Sequence, residues 1–230
     1  MGQCCGNEYQ VLGEEFVHQI LKDPIFKLNK FEYNYLLNEI VSKRIQQEIH
    51  KKHIEQILIP TFYETKSTNP LKKYIENILK HILTKLEDKN NMYTVIIYFY
   101  PFISHQNEKC DENMNSIFQF IAKDFTIEQF ESILTKYFVF CSRDLTYAVW
   151  KVCDDPKISK ALDELNTIVY SEENIKKVVD KIVFEMAKKV RNNTGIDKDH
   201  ITQSNFTDVY SKYNFSSAEN VRQLIINYGY

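Results

Sequence analysis

The sequence predicts an all-α fold made of two packed helical lobes. Apolar residues recur at helical spacing in several segments, which is the primary signal for amphipathic helices. The 230 residues include only five glycines and five prolines, so few tight turns are available, and long helices are favoured over a many-stranded sandwich. We expect an N-terminal tail over residues 1–8, an N-terminal helical lobe over 9–105 and a C-terminal helical lobe over 112–230.

Three helices are predicted in the N-terminal lobe. Residues 31–56 carry an apolar stripe, and a clearer one covers 71–86. Asn69 is placed to cap that second helix, with Pro70 at its first position. The segment 92–100 is rich in β-branched and aromatic residues, but an isolated strand there would have no partner. We therefore interpret it as a buried helix that ends before the following proline.

Three further helices are predicted in the C-terminal lobe. Residues 126–137 and 216–228 have helical periodicity. The stripe over 175–190 is the most regular of the three. Ser171 precedes it as a cap, and two glutamates follow in the first turn, where they favour the positive end of the helix dipole.

Composition excludes several classes of function. The net charge is −2 at pH 7, so no excess of basic residues is available to bind nucleic acid. The glycine-rich phosphate loops and the short hydrolase motifs do not occur in the sequence. The N-terminus lacks a secretory signal, and no apolar run approaches the roughly 20 residues of a membrane span. We expect an intracellular, non-catalytic protein without a cofactor.

The first six residues, MGQCCG, form a lipidation motif. Removal of Met1 leaves Gly2 as a substrate for N-myristoylation, with Cys4 and Cys5 placed for palmitoylation at a membrane. One myristoyl chain binds a membrane only reversibly, so a second signal is needed, and acidic residues before the first lysine exclude a polybasic patch. The sixth residue is glycine, where the consensus has serine or threonine. The alternative is an ordinary flexible terminus with two free thiols.

Other reactive side chains are interpreted as structural. The five cysteines are odd in number and include no CxxC pair, which argues against a disulfide scaffold or a zinc site. His50 and His53 share a helical face, but no third metal ligand is marked. A thiol nucleophile at Cys110 or Cys141 is the enzymatic alternative, although acidic neighbours of Cys110 disfavour its thiolate. Cys153 is interpreted as a small core residue.

A weak internal repeat links two of the predicted helices. Residues 126–137 align with residues 202–213 without a gap. A helical protein can produce such a match by chance, since the two segments are short. The aligned pairs are Phe130 with Phe206, Ile133 with Val209, Lys136 with Lys212 and Tyr137 with Tyr213.

The starts of these repeated helices resemble the end of an EF-hand calcium loop and the exit helix that follows it. The segments are Asp124–Phe130 and Asp199–Phe206, with a fainter third example at Lys27–Glu32. In EF-hand proteins an aliphatic residue at the eighth loop position pairs with its counterpart in the partner hand. The resemblance covers 112–230 and implies EF-hand-like helix pairs. A myristoylated N-terminal glycine also recurs among recoverin-like sensors and calcineurin B subunits.

The calcium ligands of that family are missing in both possible registers. With Ile201 at the eighth position, Ile196 and Lys198 occupy the third and fifth, where oxygen ligands are required. A loop that starts at Asp197 has Asp199 third but Ile201 fifth. The resemblance therefore implies degenerate helix pairs without metal. The alternative is a calcium site with an unusual ligand set that includes Asp197 and Asp199.

Taken together, these features predict a lipid-anchored helical adaptor at the cytoplasmic face of a membrane. Grooves of EF-hand-like folds are apolar and take an amphipathic helix, so we expect a protein partner bound without calcium, on a cytoskeletal or ciliary assembly. A calcium-responsive sensor at a membrane is the alternative function.

Overall fold

The fold is all-α, as the sequence predicts. A computed structural model describes residues 3–22, 49–52, 55, 70–87, 89–90, 97–98, 125–194 and 200–229. Two-residue segments β1 (Ile49–His50) and β2 (Lys89–Asn90) pair antiparallel. Two π-helical turns interrupt the α-helices, π1 at Phe140–Asp144 and π2 at Leu165–Val169. The helices are α1 (Gln3–Leu21), α2 (Lys72–Lys85), α3 (Ile127–Val139), α4 (Leu145–Trp150), α5 (Pro156–Glu164), α6 (Glu172–Val190), α7 (Gln203–Tyr213) and α8 (Ala218–Tyr228).

Helix α6 lies at the centre of the C-terminal bundle and confirms the most regular predicted stripe. Ser171 caps it by accepting a hydrogen bond from the Asn174 backbone N–H. Its apolar positions, from Ile175 to Val190, are buried against α3, α7 and α8. The 3.6-residue periodicity of the sequence therefore identifies both the helix and its core-facing side.

Two helical paths contain a π-helical turn. Helix α3 continues through π1 into α4, and α5 continues into π2. At the end of π2 the Tyr170 N–H donates to the Leu165 carbonyl at 2.7 Å, five residues back. A π turn places an extra residue in the helix and frequently marks a functional position.

The described helices of the first hundred residues pack on the C-terminal half. Helix α1 lies against α5 and π2, and α2 lies against α4. Val17 and Ile78 belong to the same buried apolar cluster as Leu162 and Leu145. The division into lobes over 9–105 and 112–230 stays a prediction, because the segment between them lies outside the described residues.

The start of α2 differs from the prediction. The helix begins at Lys72, and Leu71 is its N-cap without a side-chain hydrogen bond. Pro70 lies in the turn that precedes it, and the Leu71 carbonyl accepts the Tyr74 and Ile75 N–H groups at 3.0 and 3.1 Å. The predicted helices over 31–56 and 92–100 lie largely outside the described residues, although Ile97 is helical and buried.

Candidate functional site

The predicted lipidation motif lies at the start of helix α1. Cys4 and Cys5 belong to its first turn, while Gly2 lies just before the described residues. The helix extends without interruption to Leu21, past the expected tail boundary at residue 8. Acyl groups on these cysteines would therefore be joined directly to a helix of about 28 Å.

The inner side of α1 approaches α5 very closely at Gly13. A Cβ atom at this position would lie 2.6 Å from Leu165 Cδ1 and 3.2 Å from the Ala161 carbonyl oxygen. Val17 and Ile20 continue the same side and are fully buried. A larger residue would require Leu165 or the Ala161 carbonyl to shift, so glycine suits this close approach of the two helices.

A buried ion pair joins α1 to the C-terminal helix α8. Arg222 Nε donates to Glu14 Oε2 at 3.1 Å, and the Tyr170 hydroxyl donates to Glu14 Oε1. The Arg222 side chain is 0% exposed and that of Glu14 only 12%. Two buried charges are tolerated when they are paired and hydrogen-bonded. This centre, Glu14 with Arg222 and Tyr170, is the candidate site of the fold.

Both π-helical turns contribute to this centre. Arg222 Nη1 donates to the carbonyl of Cys141 in π1 at 3.5 Å, and Tyr170 follows the last residue of π2. Arg222 Nη2 is buried and has no hydrogen-bond partner among the described residues. One π-helical turn therefore supplies a carbonyl to Arg222, and the residue that follows the other supplies a hydroxyl to Glu14.

A second polar pair lies one turn further along the α1–α8 contact. His18 Nδ1 is 3.2 Å from Glu219 Oε2, and both side chains are partly exposed. Burial lowers the pKa of His18 below its usual range, helped by Lys22 and Arg222, while Glu219 and Glu14 oppose the shift. This pair forms the rim of the contact, and Glu14 with Arg222 forms its interior.

Helix α2 is fixed to the bundle by a row of polar side chains four residues apart. The Lys73 ammonium donates to Asp154, and Asn77 Nδ2 donates to the Ala148 carbonyl at 2.6 Å. The next two members, His81 and Lys85, both face Asp144 in π1, at 3.8 and 3.1 Å. Burial alone would raise the pKa of Asp144, but His81 and Lys85 hold it below its ordinary value. The row fixes α2 to the bundle.

A backbone hydrogen bond joins the residues that precede the two repeated segments. Ile201 N–H donates to the Phe125 carbonyl at 3.2 Å, and both residues are buried. Each precedes a threonine, Thr126 or Thr202, which caps the next helix in a reciprocal capping box. The alignment of the two segments is therefore matched by equivalent local structure, including the buried aromatic pairs Phe130 with Phe206 and Tyr137 with Tyr213.

The side chains considered as alternative metal ligands lie mostly outside the described residues. Asp197 and Asp199 lie outside the described residues, as does His53. His50 lies in β1, where it pairs with Lys89, so it is not on the predicted helical face. Within the described ranges, no group of three or more His, Cys, Asp and Glu side chains is close enough to hold a metal ion.

The thiol of Cys141 is not placed to act as a nucleophile. Cys141 is fully buried, and this burial raises the pKa of its thiol far above the usual range. Cys153 is half-buried, with its thiol 3.7 Å from the Asp155 carbonyl, and Cys110 lies outside the described residues. A protonated, inaccessible thiol such as Cys141 is suited to the core.

The central residues of the candidate site escaped the sequence analysis, although each carries a signal. Arg222 interrupts the apolar stripe of Ala218, Val221 and Ile225, and Glu14 falls on the stripe of Val17 and Leu21. A charge on an apolar stripe indicates a buried charge that needs a partner.

No helix among the described residues has the length and apolar character needed to cross a membrane. Comparison with known protein families, curated proteins and solved structures found no match for the chain.

Proposed function

We propose that this protein is a non-catalytic, lipid-anchored helical adaptor. Its anchor is the myristoylated Gly2 together with palmitate on Cys4 and Cys5. The observation that carries the proposal is the position of this motif on α1, which the Glu14–Arg222 ion pair joins to the bundle. A lipid attached there would hold the helical body at a membrane without a long flexible tether.

The C-terminal bundle is the part that we assign to partner binding. The Ile201–Phe125 hydrogen bond between two capped, aligned helix starts supports an EF-hand-like pair. The sequence between Thr194 and Asn205 lacks the required oxygen ligands, so the pair would bind its partner without calcium. The partner would be an amphipathic helix of a protein at the cytoplasmic face of the membrane, for example in a cytoskeletal or ciliary assembly.

Membrane fractionation of cells tests the anchor. The full chain with a C-terminal fluorescent tag is expressed in eukaryotic cells as wild type, Gly2→Ala and Cys4→Ser/Cys5→Ser. We expect wild type in the membrane pellet, Gly2→Ala in the supernatant and the double cysteine variant divided between them. Cys153→Ser removes a thiol elsewhere in the chain and is expected to pellet like wild type. Equal solubility of all four proteins would refute the anchor.

A calcium titration tests the alternative function. A sensor with ligands at Asp197 and Asp199 would change its melting temperature when calcium is added, because a ligand of the folded state stabilises it. We expect no change, with magnesium as the control cation. A calcium-specific increase that is lost in Asp197→Asn/Asp199→Asn would support the sensor instead.

A further inference from the structure

We infer that helix α1 is a latch that holds the C-terminal helix α8 on the bundle, so that displacement of α1 releases α8. The latch is independent of lipidation, and only its operation at a membrane rests on the proposed function. The inference starts from the contact between the two ends of the chain, at Glu14 and Arg222, which are 208 residues apart.

Arg222 depends on α1 for its charge compensation. Glu14 is the only acidic side chain paired with Arg222 within the described part of the chain. The other polar contact of the guanidinium is the Cys141 carbonyl at 3.5 Å, which carries no full charge. When α1 is in place, a fully buried cation has a counterion. When α1 leaves, the guanidinium loses that counterion.

An uncompensated buried charge is not a stable end state. Breaking a buried pair by removal of one partner is strongly destabilising, because the remaining ion is neither solvated nor paired. As long as α8 stays docked on π1 and α6, the guanidinium stays against the bundle, where its remaining polar contact is the Cys141 carbonyl. The least costly response to loss of α1 is therefore local opening of α8, while the core around α6 stays folded.

Coupling of this kind operates in both directions. Whatever favours release of α1 favours release of α8, and opening of α8 weakens the attachment of α1 to the same extent in free energy. The rim pair His18–Glu219 lies on the same two helices and adds to the coupling. If the proposed lipids draw α1 toward a membrane, the surface beneath α8 becomes accessible there.

Two variants weaken the contact between α1 and α8 by different means. Glu14→Gln keeps the shape of the side chain but removes its charge. Gly13→Ala forces a Cβ atom against Leu165 and the Ala161 carbonyl, on the side of α1 that faces α5. Leu12→Ala is the matched control, because Leu12 lies on the exposed side of the same helix turn.

Hydrogen–deuterium exchange of the full, unacylated chain without lipid tests the latch. We expect exchange over residues 218–228 to accelerate on the order of tenfold or more in both variants, while 172–190 stays as protected as in wild type. Pulsed labelling of the buried Cys141 thiol, followed by peptide mass spectrometry, is expected to accelerate in parallel. Leu12→Ala is expected to leave both measurements unchanged.

Two results would overturn the latch. In one, α8 remains protected in folded Glu14→Gln. In the other, α6 and α8 lose protection together, so that α8 has no separate opening. If Gly13→Ala does not fold, the isosteric Glu14→Gln alone decides. Since no lipid is present, these outcomes are separate from those of membrane fractionation.

Discussion

Removal of the negative charge of the buried pair is expected to destabilise the protein more than removal of the positive one. The reason is the unequal burial of the two side chains, 0% exposed for Arg222 and 12% for Glu14. In Glu14→Met the guanidinium, fully buried in the wild-type fold, loses its counterion. We expect a loss of about 3–5 kcal/mol of unfolding free energy.

Arg222→Met leaves the Glu14 carboxylate without its cation, but in a more favourable environment than that of the unpaired guanidinium in Glu14→Met. Glu14 keeps the hydroxyl hydrogen bond of Tyr170 and retains access to water along its exposed edge. We expect this variant to lose about 1–3 kcal/mol, the range for a buried group that loses part of its hydrogen bonding.

The double replacement separates pairing from packing. With methionine at both positions no charge remains buried, and an apolar pair of similar volume is often neutral or stabilising relative to the ion pair. The double variant should therefore be more stable than Glu14→Met alone, which requires a favourable coupling larger than the loss in Arg222→Met, about 3 kcal/mol or more. Tyr170→Phe measures the contribution of the hydroxyl separately, about 1 kcal/mol.

The assay is urea unfolding followed by far-ultraviolet circular dichroism. Lys189→Met is a matched control, since it removes a lysine from the exposed pair with Asp208 and should leave the midpoint nearly unchanged. The reasoning is refuted if Arg222→Met costs as much as Glu14→Met. It is also refuted if the two single losses simply add in the double variant.

Three further predictions concern packing, capping and pH. Gly13→Ala should lower the free energy of unfolding by about 1–3 kcal/mol, because its Cβ overpacks the contact with Leu165. Thermal melting measures this loss, and a melting temperature equal to that of Leu12→Ala would contradict it. Thr126→Ala and Thr202→Ala should each cost about 1 kcal/mol of unfolding free energy by removing a capping box. The serine variants keep the hydroxyl and should be close to wild type. Equal losses in the alanine and serine variants would show that the loss does not come from the capping hydrogen bond. Because burial lowers the pKa of His18 in the folded state, the unfolded chain takes up the proton first. Stability should therefore be constant above the ordinary value of 6.5, fall as pH drops from there to the folded-state pKa, and level off below it. Urea midpoints between pH 5 and 8 measure this, and an unchanged slope in His18→Gln would assign the effect to another group.

The sequence predicts a helix best where the cap, the charges of the first turn and the apolar stripe all indicate the same segment. Helix α6 combines a cap at Ser171, acidic residues in its first turn and an apolar stripe, and each of these local features is reproduced in the fold. The repeated segments after Thr126 and Thr202 are likewise recognisable, because a capping box and a buried phenylalanine are local patterns.

The candidate site could not be predicted in the same way, because it depends on contacts between distant parts of the chain. Glu14 and Arg222 can each be suspected from the apolar stripe that they interrupt. Their pairing, however, depends on how α1 lies on α5 and how α8 lies on π1, which periodicity does not specify. The π turns were also missed, since one additional residue in a helical turn leaves little trace in an apolar pattern.

The most direct test of the lipid anchor is the mass of the N-terminal peptide of the protein isolated from eukaryotic cells. Mass spectrometry should find Gly2 myristoylated after loss of Met1, with palmitate on Cys4, Cys5 or both. Hydroxylamine treatment should remove the thioester-linked palmitate and leave the amide-linked myristate, which distinguishes the two chains. A peptide with unmodified or acetylated Gly2 and free thiols would contradict the proposal that this helical protein is held at a membrane by lipids.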